Sequence, residues 1–249
     1  MRNIALMLMY KGSAYHGWQR QNNAVTVQET LEKAIYRVCR ENAVLYGCGR
    51  TDAGVHALHY VCNFHSQTKI PDDKIPFALN CVLPDDIRIT GAKTVDEKFH
   101  ARYSVKKKRY IYKVLNSPHG DVFLQDLAWH YRRYADIERM REACGFFVGE
   151  HDFSAFCASG AQTNDFVRTV YSLDVSRNND QITVDICGNG FLYNMVRIIA
   201  GTLMYIGDGR LEPYEAEEII ASCDRRRAGI TAPPHGLYMA DVTYDTDLF

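Results

Sequence analysis

Apolar and polar positions along the 249-residue chain follow two periods, one of strands and one of helices. Residues 3–10, NIALMLMY, form an apolar run that predicts a buried strand. Val27, Leu31, Ala34, Ile35, Val38 and Cys39 repeat at helical spacing, and Thr26 with Glu29 has capping-box spacing, so a helix is predicted from about Val27. VLYGC (44–48) and HALHYVCNFH (56–65) read as strands joined by the Gly-bounded loop GRTDAG. Pro71 opens a short helix, and DIRITGAKTV reads as another strand. The second half begins with the strand KKKRYIYKVL and a helix near 136–148 with Asp136 as its N-cap. VYSLDVSRNNDQITVDICG is a predicted hairpin turning at NND. A long apolar helix from Leu192 to Ile206, a helix starting at Pro213 and the strand LYMADVTY complete the pattern.

These elements intermix without the regular strand–helix alternation of a parallel sheet, which predicts an α+β fold with mainly antiparallel sheet. Each half carries a similar set of elements. Two similar α/β sandwiches facing each other across a cleft are expected, over residues 1–103 and 104–249.

Composition narrows the class. Hydrophobic residues make up 47% and charged residues 24%, values of a soluble globular protein. No apolar run approaches the roughly 18–20 residues that cross a bilayer. The N-terminal stretch lacks a small-residue cleavage site and reads as a first strand rather than a signal segment, so a cytoplasmic location is expected and no membrane partner. The eight cysteines form no CxxC pair and several lie in apolar runs, as reduced, buried thiols would. His56, His59, Cys62 and His65 recur every third residue, but strand alternation sends His59 and His65 one way and Cys62 the other, so no metal site is expected.

A net charge of −1 does not announce a polyanion partner, but its distribution does. Arg102, Lys106, Lys107, Lys108, Arg109 and Lys113 lie in one stretch without an acidic residue, interleaved with Tyr103, Tyr110 and Tyr112. A basic, aromatic strand of this kind suits RNA, with Lys106, Lys107, Lys108 and Arg109 as the candidate contacts.

The chemistry concentrates in Gly47-Cys48-Gly49-Arg50-Thr51-Asp52-Ala53-Gly54-Val55-His56. Its glycines permit sharp turns and close approach of another surface, and they set Asp52 in a loop between strands. On these residues alone, the reading of Asp52 as a turn residue bonded to its own backbone prevails. GRTDAGVHA, however, resembles the catalytic motif of the tRNA pseudouridine synthase A family. YKGSAYHGWQRQ with TVQETLEKAI, FHARYS with RYIY, NGFLYNMVRIIAGTL and TAPPHGLYMADVTY resemble that family's further blocks, in order, from Tyr10 to Tyr244. Gly49 stands where family members often carry Ser, which leaves the Arg-Thr-Asp core intact.

The resemblance implies two ferredoxin- or RRM-like halves forming a pseudouridine synthase cleft. It also implies a homodimer that isomerises uridines 38, 39 and 40 in the tRNA anticodon stem-loop without a cofactor. Asp52 would be catalytic, Arg50 would fill the space left by the flipped base, and Tyr110 would stack on that base. Arg197 would pair with Asp52, and Leu237 would pack on the uracil. Isomerisation needs no redox change or energy source, and the chain has no Walker A or GxGxxG motif. An ionised carboxylate can attack C1′ or remove a sugar proton, and the sequence leaves both routes open. Two other readings compete. A non-catalytic RNA-binding module would have no use for Arg-Thr-Asp. A nucleoside-hydrolysing glycosidase usually asks for a second carboxylate, and no acidic residue here resembles one.

Overall fold

The computed structural model describes residues 1–245 and 248–249. In chain order the elements are β1 (Arg2–Tyr10), α1 (Val27–Cys39), β2 (Tyr46–Gly47), β3 (His56–Ser66), α2 (Ile75–Asn80), β4 (Ile87–Val95), β5 (Lys107–Leu115) and β6 (Trp129–His130). There follow α3 (Ile137–Phe147), β7 (Gly149–Asp152), β8 (Val167–Asn178), β9 (Gln181–Gly188), α4 (Met195–Gly207), α5 (Glu215–Ser222) and β10 (Leu237–Thr243). The architecture is mixed α and β with mostly antiparallel pairing, the class that the pattern predicts.

Backbone contacts gather Met1–Lys106 and Tyr238–Phe249 into one compact unit and Lys107–Leu237 into another. The terminal strand is the difference from the expected halves. Tyr238 pairs with His56 and Met239 with Ala57, in parallel, so this strand belongs with the beginning of the chain. Parallel neighbours need a long connection between them, and no local pattern announces one.

In the first unit the strand order is β4-β1-β3-β10, with β2 also on β3. Ile4, Leu6 and Leu8 of β1 are fully buried, as the apolar run predicts. Thr26 accepts a hydrogen bond from the Glu29 N–H at 3.3 Å. The Glu29 carboxylate turns instead to Lys33 at 2.7 Å, so only half of the capping box forms. The Pro71 segment becomes a 3-10 turn, Asp72–Lys74, running into α2.

In the second unit the order is β5-β9-β8-β7, with β6 on β5. Strand β9 buries Ile182, Val184 and Ile186 and leaves the residues between them half-buried, a strict period of two. Its hairpin with β8 turns at Asn179, which takes a left-handed φ of 52°. Asp136 caps α3 by accepting from the Glu138 N–H at 2.9 Å. Helix α4 starts at Met195 rather than Leu192, because Asn194 adopts a left-handed φ of 61°. Every position of α4 is buried except Arg197 and Tyr205. Among the described residues no helix is long and apolar enough to cross a membrane.

Segment 229–232 runs against α4 at backbone distance, and a Cβ on Gly201 would stand 1.9 Å from the Ile230 carbonyl oxygen. Gly201→Ala is therefore expected to destabilise the protein by about 3 kcal/mol in urea unfolding. Gly145→Ala on α3, where an added Cβ meets nothing within 4 Å, is expected to be neutral or to stabilise by up to about 1 kcal/mol.

Candidate active site

Residues 48–55 belong to no strand or helix, so other segments must satisfy their backbone. Thr51 is held from two sides. Its buried hydroxyl meets the Tyr10 hydroxyl at 2.9 Å, and its carbonyl accepts from the Trp18 N–H at 3.2 Å. The Tyr60 hydroxyl donates to the Gly49 carbonyl. Gly54 N–H donates to Tyr15 O at 3.2 Å, and Val55 N–H closes a turn on Asp52 O at 3.2 Å. Tyr10, Trp18 and Tyr60 form one aromatic cluster beneath this loop, with the Trp18 and Tyr60 rings stacked at 4.1 Å.

Glycine is required where the segment 12–17 meets this loop. Gly17 has φ +82°, and a Cβ there would lie 2.3 Å from Thr51 O; at Gly12 it would lie 1.9 Å from Val55 O. The blocks YKGSAYHGWQ and GRTDAG thus interlock through the backbone. Asp52 emerges half-buried from this frame, between buried Thr51 and exposed Ala53, while Arg50 is exposed. Tyr10, Trp18 and Tyr60 are the residues that sequence reasoning missed. Their signal was present as large aromatics flanking Gly-rich turns, which a protein uses when a loop must be propped from below.

His56, first residue of β3, accepts from the Gly12 N–H through Nδ1 at 3.0 Å and stacks on Tyr238 at 4.6 Å. Its role is to bind backbone. His59 faces solvent near Asp241 at 3.7 Å, whereas Cys62 is fully buried. Among the described residues no three His, Cys, Asp or Glu side chains could together hold a metal ion.

The remaining candidates except Lys106 lie in the second unit. On β5, Lys108, Tyr110, Tyr112 and Val114 share one face, and Lys107, Arg109, Ile111 and Lys113 the other. Tyr110 is buried and meets Phe191 edge-on at 5.3 Å, which joins RYIY to the NGFLYN segment. Tyr112 donates to Pro233 O at 2.7 Å, and Gly236 packs so tightly on the Tyr112 ring and Lys113 O that a Cβ would come within 2.6 Å. Arg197 donates from Nε to Ala232 O at 2.7 Å and from Nη1 to Asn194 Oδ1 at 2.7 Å, while its own carbonyl accepts from Ala232 N–H at 3.1 Å. Leu237, buried, ends the segment so fastened. Arg197 and Leu237 thereby share one scaffold, the 231–237 segment, which also bonds Tyr112 of β5, two residues along the strand from Tyr110.

The basic run is less free than its sequence suggests. Arg109 forks onto Asp185 across the β5–β9 pair, with Nε at 2.8 Å and Nη2 at 2.5 Å from the carboxylate. Lys106 meets Asp245 at 3.0 Å, and Lys107 lies over the Tyr171 ring at 5.2 Å. Each pair is exposed and therefore weak enough for a phosphate to compete for the cation.

A family model described as tRNA pseudouridine synthase matches residues 6–104 and 143–245. The chain belongs to the tRNA pseudouridine synthase family and is an isomerase acting on tRNA uridines. It is 52% identical to the tRNA pseudouridine synthase A of Thermoanaerobacter sp. (strain X514) over 98% of this chain and 100% of the relative. Identity is 48% to the protein of that name from Ruminiclostridium cellulolyticum, again over 98% of this chain and 100% of the relative. It is 47% to that of Brevibacillus brevis over the same shares.

His235, in the same 231–237 segment, has its pKa lowered, first by burial and further by the Arg197 charge, with Asp126 opposing. The unfolded chain then binds this proton more readily than the fold does, so stability rises with pH. The contribution is present above the ordinary histidine value of about 6.5 and is lost as pH falls below it. His235→Gln is expected to show a smaller loss of stability between pH 7.5 and pH 5 (chosen test points, about one unit or more either side of that value) in urea unfolding than the parent chain.

Proposed function

We propose that this enzyme converts uridine to pseudouridine at positions 38, 39 and 40 in the anticodon stem-loop of tRNA, with Asp52 acting on the sugar of a flipped-out nucleotide. The observation that carries this reading is the Arg50-Thr51-Asp52 triplet propped in an irregular loop by Tyr10, Trp18 and Tyr60, in a chain 52% identical to a tRNA pseudouridine synthase A. A loop braced from three segments can hold one carboxylate at a fixed height, the preorganisation that acid–base or covalent catalysis needs.

The reaction breaks the N1–C1′ bond, turns the uracil and joins C5 to C1′. The C5 proton is released and N1 gains one, so atoms and charge balance without an oxidant. Asp52 either bonds to C1′ or takes a sugar proton. Extracting the base from its stack costs a few kcal/mol, which contacts to the flipped nucleotide offset. In this reading Arg50 occupies the vacated space, Tyr110 stacks on the uracil and Leu237 packs against it. Arg197, the one charged residue in a helix otherwise almost wholly buried, supplies the counter-charge for Asp52. The family's paired α/β halves around a catalytic cleft, its homodimer and a cytoplasmic location belong to the same proposal and rest on resemblance.

With tRNA carrying tritium at uridine C5, Asp52→Asn is expected to abolish tritium release while tRNA affinity stays within about threefold of the parent, a change below about 1 kcal/mol. Normal release by the Asn variant would remove Asp52 from the chemistry, and free uracil as product would favour a hydrolase. Lys106, Lys107 and Lys108 replaced together by Ala are expected to weaken binding and flatten the dependence of log Kd on log salt, by up to about three phosphate contacts. An unchanged slope would show that this run faces away from RNA.

A further inference from the structure

The segment 96–104 between β4 and β5 has no ladder of its own, yet it is fastened unusually firmly. Asn3 and Asn63, 2% and 1% exposed on neighbouring strands, spend their amides on it. Asn3 donates to Asp96 O and Phe99 O, each at 2.9 Å, and Asn63 accepts from the Ala101 N–H at 2.9 Å while donating to Asn3 Oδ1 at 2.9 Å. Tyr244 donates to Ala101 O at 2.9 Å. Burying two primary amides in a sheet is costly unless every bond is made, so this network secures one conformation of the segment.

What the segment presents outward is a row of rings. Tyr46 of β2, half-exposed, meets His100 at 4.8 Å between centroids, and His100 meets Tyr103 at 4.4 Å. Tyr103 is 77% exposed, and Arg102 lies 5.7 Å from its centroid. The His100 ring nitrogen Nδ1 accepts from the Arg102 N–H at 3.1 Å, which fixes the imidazole as part of the row. The charges in the segment balance: Lys98 and Arg102 stand beside Asp96 and Glu97 in sequence, all four exposed. A general attraction for phosphate is therefore not what the surface offers. It offers flat, rigid π-faces with one guanidinium beside them, which suits a nucleobase and the phosphate next to it.

We propose that Tyr103, backed by His100 and Tyr46 and flanked by Arg102, is a second tRNA-binding site that stacks on an unpaired base of the substrate tRNA. Tyr46 pairs with Asn63, toward the end of β3 opposite to the one the 48–55 loop enters at His56. The ring row rests on the 96–104 segment and β2, whereas Asp52 stands in the 48–55 loop, so the stacked base is assigned to a nucleotide other than the one undergoing isomerisation. The site depends on the family's tRNA substrate and not on the role assigned to Asp52.

The test is binding of full-length tRNA across a salt series, read as Kd. Tyr103→Ala is expected to raise Kd about tenfold at every salt concentration with the salt slope unchanged, because a stack and not an ion pair is lost. Tyr103→Leu, which keeps bulk but has no π-face, is expected to bind as weakly as Tyr103→Ala, and Tyr103→Phe as tightly as the parent. Arg102→Gln is expected to lower the slope by about one phosphate contact. An unchanged Kd for Tyr103→Ala, or parent-like binding by Tyr103→Leu, would overturn the proposal. A change of oligomeric mass in light scattering with Kd unchanged would assign the rings to a protein contact and overturn it as well.

Discussion

A loop without a ladder has to obtain its hydrogen bonds from elsewhere, and between Cys48 and Val55 this need shapes everything around it. Thr51 and Gly49, on either side of Arg50, are pinned by Tyr10, Trp18 and Tyr60, and Gly54 by the Tyr15 carbonyl. These bonds require backbone to approach backbone, which explains glycine at positions 12 and 17 and excludes any side chain there. They also require three large aromatics to fill the volume beneath the loop. Asp52 thus inherits its position from residues up to 42 positions earlier in the chain, Tyr10 being the most distant of them.

The same solution recurs wherever a strand gives way to irregular chain. Asparagine carries a donor and an acceptor on one short side chain and so can replace a missing backbone neighbour. Asn3 and Asn63 serve the 96–101 segment, and Asn80 closes α2 onto β4 by bonding both N–H and C=O of Ile89. Asn116 donates to Tyr131 O and Arg133 O and accepts from the Ala135 N–H and Arg177. Arg197 acts in the same way on Ala232. These polar side chains fasten irregular segments, chiefly through backbone groups.

Charge follows a different logic. Arg109, Lys106, Arg210 and Arg226 each lie within 3.0 Å of a carboxylate. A chain of net charge −1 that acts on tRNA has no strong overall field to draw it in. In the proposed reading, recognition rests on shape, stacking and the local exchange of a carboxylate for a phosphate. The exposed pairs are suited to such exchange, whereas the Asp208 carboxylate, only 2% exposed and held by both Tyr131 and Arg210, is not.

The sequence by itself determined the elements whose cause is local. The apolar run of β1, the alternation of β9, the Thr26 and Asp136 caps and the helical stripe of α1 all arise from neighbours within a few positions. It also determined the family, because GRTDAGVHA and its companion blocks survive as strings. Tertiary structure alone decided what depends on residues far apart. The return of β10 to β3, the left-handed Asn194 that delays α4, the pairing of Arg109 with Asp185 and the aromatic prop under Thr51 have no periodic trace. A period reports which side of an element is buried; it does not report against what, since that partner is chosen only when distant segments compete for the same space and the same unpaired backbone groups.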